Sequence, residues 1–233
     1  MLGYIILLIF LILFVIFMII LLIKGINNNH EENNYKEETK KEYKSEQERF
    51  GEKGESVVAG MLLNIQDVHK SYLFNNFTYM YDDMHSTEID HIFICKGGIF
   101  IIETKSNKGI IYGNDSDNMW YQEKEAWQDD KEFMNPVKQN QTHIRLLKRI
   151  LGEYPPKMYS LIIFPFAKSL ENVDSIYVHN LDSAKQFILD KINNGTYSDK
   201  FIDKMNEQFT NIYIKRGISS KQHKENITKD RLN

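Results

Sequence analysis

The chain has a single cysteine, Cys95, among its 233 residues. No intramolecular disulfide can form, and a reducing compartment is compatible. Cys95 stands in an apolar, strand-like run with no activating partner in view, so burial accounts for it better than nucleophilic chemistry does. Nor is there an excess of positive charge: 29 Lys and Arg stand against 32 Asp and Glu, a formal net charge of −3. That balance excludes a strongly basic nucleic-acid grip over the whole chain and confines any phosphate contact to a local patch. No internal repeat is present.

Charged side chains are missing altogether from Met1 to Ile23. At about 1.5 Å rise per residue this stretch spans roughly 33 Å, enough for the hydrocarbon core of a bilayer. A cleaved signal peptide fits poorly. The apolar run is too long, no basic side chain precedes it, and no small-x-small cleavage site follows. The expectation is a retained, single-pass transmembrane anchor over residues 1–24, meeting the membrane through residues 2–23. Only the α-amino group precedes the span, whereas Lys24, Lys36, Lys40, Lys41 and Lys44 follow it. The positive-inside rule therefore puts the C-terminal bulk in the cytoplasm. Residues 25–49 read as a polar linker of Asn, Glu and Lys with almost nothing to bury. About 185 residues from Phe50 onward suffice for one well-packed domain. Its extent is expected as 50–215, followed by a loose basic tail over 216–233 that carries Lys221, Lys224, Lys229 and Arg231.

What the chain does have is a hairpin, Glu88 to Lys105. β-Branched and aromatic runs (Ile89 to Ile94, Ile99 to Ile102) flank Lys96-Gly97-Gly98, so both read as strands around a tight turn. A Gly97-Gly98 loop would set Asp90 opposite Lys105; a Lys96-Gly97 loop would set it opposite Glu103. Side chains alternate with period two, so in either register Asp90, Glu103 and Lys105 share one face. Glu88 is expected to join them. The rest of that face is Ile92, Ile94, Ile99 and Ile101, and charges at its end are costly to desolvate unless paired or holding a cation.

Before the hairpin, Val58, Met61, Leu62 and Ile65 recur at helical spacing and predict an amphipathic helix over Glu52–Asn64. Glu55 lies on its apolar stripe; Glu52 is the other acid in reach, and Glu55 is favoured. Ser71–Tyr81 reads as an irregular strand. After the hairpin, Gly109–Tyr112 and Met119–Tyr121 continue as short strands of a meander. Asn135 is a good N-cap, Pro136 suits a first turn and Gly152 a C-terminal cap. Within that helix Gln139, His143, Leu147 and Ile150 share a face. Arg145, Lys148 and Arg149 lie further round it, within reach of phosphate or simply solvated. Tyr159–Phe166 reads as a buried strand and Ser175–His179 as a short one, with helices over Asp182–Ile192 and Ser198–Ile212.

Asp90 and Glu103 can jointly bind a hard divalent cation, Mg²⁺ above all, with Mn²⁺ as its substitute, because Mg²⁺ takes a few carboxylates and keeps several waters. The Thr104 carbonyl can add a ligand, and Glu55 can complete the shell directly or through water. Lys105 beside such an ion can orient a water or stabilise charge at phosphorus.

The stretches Gly51-x-x-Gly54-Glu55, Glu88-Ile-Asp90-His91, Gly98-Ile-Phe-Ile-Ile-Glu103-Thr-Lys105, Gly109-x-Ile111, Trp120 and Asn135-Pro-x-x-Gln139-x-x-x-His143 occur in that order over roughly residues 50–150. In them the chain resembles the nuclease-related domain (NERD) family, a branch of the PD-(D/E)xK restriction-endonuclease-like superfamily, with a family core over 50–152. The resemblance implies an α/β fold with a mixed sheet flanked by helices. It also implies metal-dependent phosphodiester hydrolysis of DNA, with Glu55, Asp90, Glu103, Lys105 and Gln139 at the catalytic positions and Asp90, Glu103 and Glu55 on the metal. The rival reading is a catalytically silent, membrane-anchored module that binds nucleic acid or a protein partner.

Overall fold

The computed structural model describes residues 45–124, 129–152 and 156–230. The chain divides into two units, Met1–Arg49 and Phe50–Asn233, and the architecture below is that of the second. The expected anchor and nearly all of the linker lie outside the described residues. Among those described, no helix is long and apolar enough to cross a membrane.

The elements are α1 (Glu46–Gln66), β1 (Ser71–Met80), β2 (Ser86–Cys95), β3 (Gly98–Thr104), β4 (Gly109–Asn114), β5 (Met119–Glu123), β6 (Lys131–Met134), α2 (Pro136–Leu151), β7 (Met158–Ile163), β8 (Ala167–Asp174), β9 (Val178–His179), α3 (Leu181–Asn193), α4 (Asp199–Arg216) and α5 (Ser220–Asp230). The class is mixed α/β. Where a single mixed sheet was expected, the strands form two: one ordered β1-β2-β3-β7-β9 and one ordered β6-β5-β4-β8. In the first, β1, β2 and β3 are antiparallel, while β7 runs parallel to both β3 and β9.

Helices cover both faces of the first sheet, which is why its central strands are apolar on both sides. All seven residues of β3 are buried. On one face Val58, Met61, Leu62 and Ile65 of α1 and Ala184, Ile188 and Ile192 of α3 pack on Phe93, Phe100, Ile102, Leu161 and Ile163. On the other, Leu147 of α2 and Ile202, Met205 and Phe209 of α4 pack on Ile92, Ile94, Ile99 and Ile101. Burying each such side chain fully is worth about 1.5–3 kcal/mol, so these two layers fix the sheet.

The second sheet exists because β4 does not continue alongside β3 but pairs in parallel with β8, a largely polar strand with no buried residue. Trp120 fastens this sheet to the first. Its ring stacks on Phe164 at 6.5 Å between centroids, and its indole N–H donates to the Asn114 carbonyl at 3.0 Å. Gly113 is obligatory beneath it, since a Cβ there would come within 2.4 Å of the indole.

The segment expected as a loose tail contains a helix, α5. Ser219 and Gln222 exchange hydrogen bonds in a capping box, Ser219 N–H to Gln222 Oε1 at 3.0 Å and Gln222 N–H to Ser219 Oγ at 3.2 Å. Asn226 Nδ2 lies 3.4 Å from Ser86 Oγ, and His223 Nδ1 lies 2.7 Å from that same oxygen. These contacts dock α5 beside the start of β2. The segment has little apolar surface to bury, which favours a loose tail; the cap and the docked polar face outweigh that.

Candidate active site

Hairpin register decides which side chains meet. Cys95 pairs with Gly98, Ile94 with Ile99, and so on to His91 with Ile102, so the loop is Lys96-Gly97. Of the two registers open from sequence, this is the one that sets Asp90 across from Glu103. The ladder stops there. The Thr104 N–H donates instead to Asp90 Oδ2 at 2.7 Å, and the Lys105 N–H goes to the Ile163 carbonyl on β7 at 2.9 Å. Asp90 thus closes the strand end with its side chain.

Simple alternation does not hold all along β2. Ile89 and Ile92, an odd number of residues apart, are buried in the same cluster, as are Phe77 and Tyr79 with Phe74 packed against them. The break falls at Asn76, which has φ 50°, a left-handed conformation that Asn tolerates better than most residues. The β1–β2 ladder skips Asn76 and Asp90, running from Asn75–His91 to Phe77–Ile89. Both strands exchange faces together. As a result Thr87 meets α2, and Glu88 lies within electrostatic reach of Glu55.

Helix α1 brings the next acid. Gly54 is buried against the chain just after β3: a Cβ would lie 2.0 Å from Ser106 Oγ, which itself donates to the Gly51 carbonyl at 3.2 Å. Glycine at 54 therefore lets the helix approach the strand end, and Glu55 follows at its edge. Glu52 is exposed and Glu55 half-buried, which separates the two candidates. Burial, then Glu88, Glu52 and Glu103, raise the Glu55 carboxyl above its ordinary value, with Lys224 of α5 pulling the other way.

Helix α2 supplies two more groups. Asn135 Oδ1 accepts from the N–H groups of Val137 and Lys138, capping the helix. Its Nδ2 donates to the carbonyls of Asn114, Asp115 and Asp117 at 3.2, 3.3 and 2.7 Å. Buried Asn140 donates to the Ile101 carbonyl at 2.8 Å and to Ser160 Oγ at 2.9 Å, pinning the helix to β3 and β7. With both ends of this turn fixed, Gln139 Oε1 accepts from Lys105 Nζ at 3.1 Å. His143 is buried: Nδ1 lies 2.9 Å from Thr87 Oγ1 and Nε2 lies 3.7 Å from Glu103 Oε2.

The centre of the cluster is Glu103, 3% exposed. Lys105 Nζ reaches its Oε1 at 2.6 Å, while Oε2 is buried without a hydrogen-bond partner. Burial alone would raise the Glu103 carboxyl, but Lys105 and His143 outweigh it and hold it below its ordinary value. Asp90 goes the opposite way: burial, then Glu103, push it well above the carboxylate range against the pull of the Thr104 N–H. Burial would lower the Lys105 ammonium, yet Glu103, Asp90 and Glu55 hold it above its usual value. The structure thus brings Asp90, Glu103, Lys105 and Gln139 into one cluster, with Glu55 at its margin.

Two carboxylates kept together at an electrostatic cost, one with a buried unpartnered oxygen, form a donor set suited to a hard cation that retains waters. No group of three or more His, Cys, Asp or Glu side chains among the described residues could cage an ion, so a closed site of the zinc kind is not built there. Sequence reasoning missed Thr87, whose position depends on the face exchange. It also missed α5, for which the signal was the Ser219-x-x-Gln222 capping box.

Comparison with known proteins bears on this cluster. The family model described as the nuclease-related domain, NERD, matches residues 50–165, a span that includes Glu55, Asp90, Glu103, Lys105 and Gln139. An uncharacterized protein of Bacillus anthracis is 33% identical over 106 residues, 46% of this chain. The matched stretch spans about half of that relative's length, 49%. No solved structure matches the chain at a significant level.

Proposed function

We infer, from the premise that residues 50–165 belong to the NERD family of the PD-(D/E)xK-like nuclease superfamily, that the protein is a divalent-metal-dependent nuclease hydrolysing phosphodiester bonds of DNA. The observation that carries this reading is the pairing of Asp90 with Glu103. Folding alone gives no reason to set one carboxylate beside another and raise its pKa; a cation and an anionic substrate do.

A bound Mg²⁺, or Mn²⁺ in its place, would be held by Asp90, Glu103 and the Thr104 carbonyl, with Glu55 reaching the shell through water; it would supply an acidified water and offset charge growing on the phosphate. The remaining roles belong to the chain. Lys105, kept protonated by its three acidic neighbours, serves as a fixed cation for the pentavalent phosphorus centre rather than as a base. Gln139 holds the Lys105 ammonium from the far side. Asp90 grips the Thr104 N–H and so fixes the strand end that carries Glu103 and Lys105. With the anchor expected over residues 1–24, the enzyme would work in the cytoplasm on DNA near the membrane.

The test is cleavage of supercoiled plasmid and single-stranded DNA by the purified protein with Mg²⁺, Mn²⁺ or EDTA. We expect metal-dependent cleavage that Asp90→Asn abolishes and Lys105→Ala lowers by about 10²–10³-fold, the range for removing one transition-state donor. The 2.6 Å pair of Lys105 with Glu103 also suits a silent binding module, in which that pair is purely structural. DNA binding without cleavage in any metal would favour that module, and cleavage surviving both substitutions would overturn the assigned site.

A further inference from the structure

Glu103 has two oxygens and the chain treats them differently. Lys105 takes Oε1 at 2.6 Å. Oε2 faces His143 Nε2 at 3.7 Å, and neither of these buried atoms has a hydrogen-bond partner. On the other side of the ring, Nδ1 lies 2.9 Å from the Thr87 hydroxyl. Thr87, His143 and Glu103 are all buried, at 7%, 6% and 3% exposure. No rearrangement of solvent can therefore stand in for a missing contact.

The proton on the imidazole is constrained by these neighbours. If Nδ1 alone carried a proton, the lone pair of Nε2 would face the lone pairs of a buried carboxylate, a repulsive arrangement with nothing to relieve it. With a proton on Nε2, the N–H points toward Glu103, and Nδ1 can pair with a hydroxyl. Threonine can donate as well as accept, so the hydroxyl follows.

We propose that Thr87 and His143 form an orienting relay for Glu103. The Thr87 hydroxyl holds Nδ1, an Nε2 proton points at Oε2, and the imidazole, opposite Lys105, fixes the roll of the Glu103 carboxylate. An ionised carboxylate offers about four lone-pair sites, so Lys105 and His143 leave the rest for an incoming cation. Both are positioning residues; neither touches substrate. The relay rests on the reading of Glu103 as a metal ligand only for its consequence, not for its geometry. Ligand-orienting partners of this kind typically carry 10–100-fold in metal affinity.

The conservative probe is Thr87→Val, which keeps shape and removes only the hydroxyl, beside Thr87→Ser, which restores it. In calorimetric titration of the full chain with Mn²⁺, Thr87→Val is expected to bind about tenfold more weakly and Thr87→Ser within about twofold of wild type. A folded Thr87→Val protein with wild-type Mn²⁺ affinity would overturn the relay, as would Thr87→Ser behaving like Thr87→Val. A second measurement uses metal-free protein: ring-nitrogen NMR of His143 should show a proton on Nε2, with that preference lost in Thr87→Val. A bare Nε2 with the proton on Nδ1 alone in wild type would refute the proposal. If wild type takes up no Mn²⁺, the metal reading of Asp90 and Glu103 fails, and the ring-nitrogen spectra still decide the relay.

Discussion

Asp90 is the residue at which stability and function pull apart. Its folded-state carboxyl lies well above the ordinary range through burial and the neighbouring Glu103. A raised carboxyl stabilises the fold below its unfolded pKa, and that contribution is lost as pH rises through the folded value. At neutral pH, above the unfolded pKa, keeping this carboxyl buried beside Glu103 is therefore a cost. Asp90→Asn removes the charge while an amide oxygen can still accept the Thr104 N–H. In EDTA at pH 7 the variant should melt higher than wild type, and the gain should shrink toward zero near pH 4, where unfolded Asp titrates. Adding Mg²⁺ should raise the wild-type Tm by mass action and leave the variant nearly unmoved. A variant that melts lower in EDTA would mean that these acids and Lys105 are a structural ion-pair network. At this scale the sequence revealed much: period-two alternation placed Asp90, Glu103 and Lys105 together because β3 is regular to its end. It failed at Thr87, because the alternation of β2 breaks opposite Asn76, and a left-handed Asn leaves no mark in a pattern of apolar residues.

Among the elements, α2 links the two sheets to the candidate site, and its N-terminal cap is the joint. Asn135 is 2% exposed. Its oxygen caps the helix while its amide nitrogen donates to three carbonyls of the β4–β5 turn. Asn135→Ala loses the cap, worth about 1 kcal/mol, and leaves buried carbonyls short of a donor, a further penalty of about 1–3 kcal/mol. Asn135→Asp keeps an acceptor for the cap but aims a carboxylate at three carbonyls, so it should destabilise at least as much at pH 7. Chemical denaturation of both variants tests the order; if Asn135→Asp matches wild type, the amide contacts are unimportant. Because Gln139 and His143 follow one and two turns later, cleavage should fall along with stability. The helix itself was legible from Asn135, Pro136 and Gly152, since caps are local chemistry. Strands β6 and β8 were not. Both are largely polar and have no buried residue, and β8 pairs with β4 alone. The split into two sheets is a fact of pairing that no single segment carries.

The whole molecule must hold DNA, on the function proposed above, with a net charge of −3, so its cations have to act by position. Three lysines lie close in sequence to the cluster: Lys53 two residues before Glu55, Lys108 three after Lys105, and Lys138 next to Gln139. Lys108 Nζ lies 4.4 Å from the Phe50 ring centroid and Lys53 Nζ 5.9 Å from that of Phe166. Lys138, next to Gln139, donates to the Ser116 carbonyl and to Asn118 Oδ1 at 2.7 and 2.8 Å. Three others, Lys96, Lys157 and Lys191, line a cavity of about 220 Å³ at the hairpin-turn end. Six residues of β3 separate the two ends, roughly 20 Å at about 3.3 Å per residue. Each phosphate contact neutralised by a lysine adds about 0.9 to the slope of log K against log salt on duplex DNA. In the cleavage-dead Asp90→Asn protein, alanine at Lys53, Lys108 or Lys138 should each lower that slope by close to this amount. Alanine at Lys96, Lys157 or Lys191 should leave it unchanged. Fluorescence anisotropy with duplex DNA from 50 to 200 mM salt would read the difference. Equal losses from both sets would mean that the far end also grips the duplex, and the site would then have to sit along a track rather than at one mouth of the sheet.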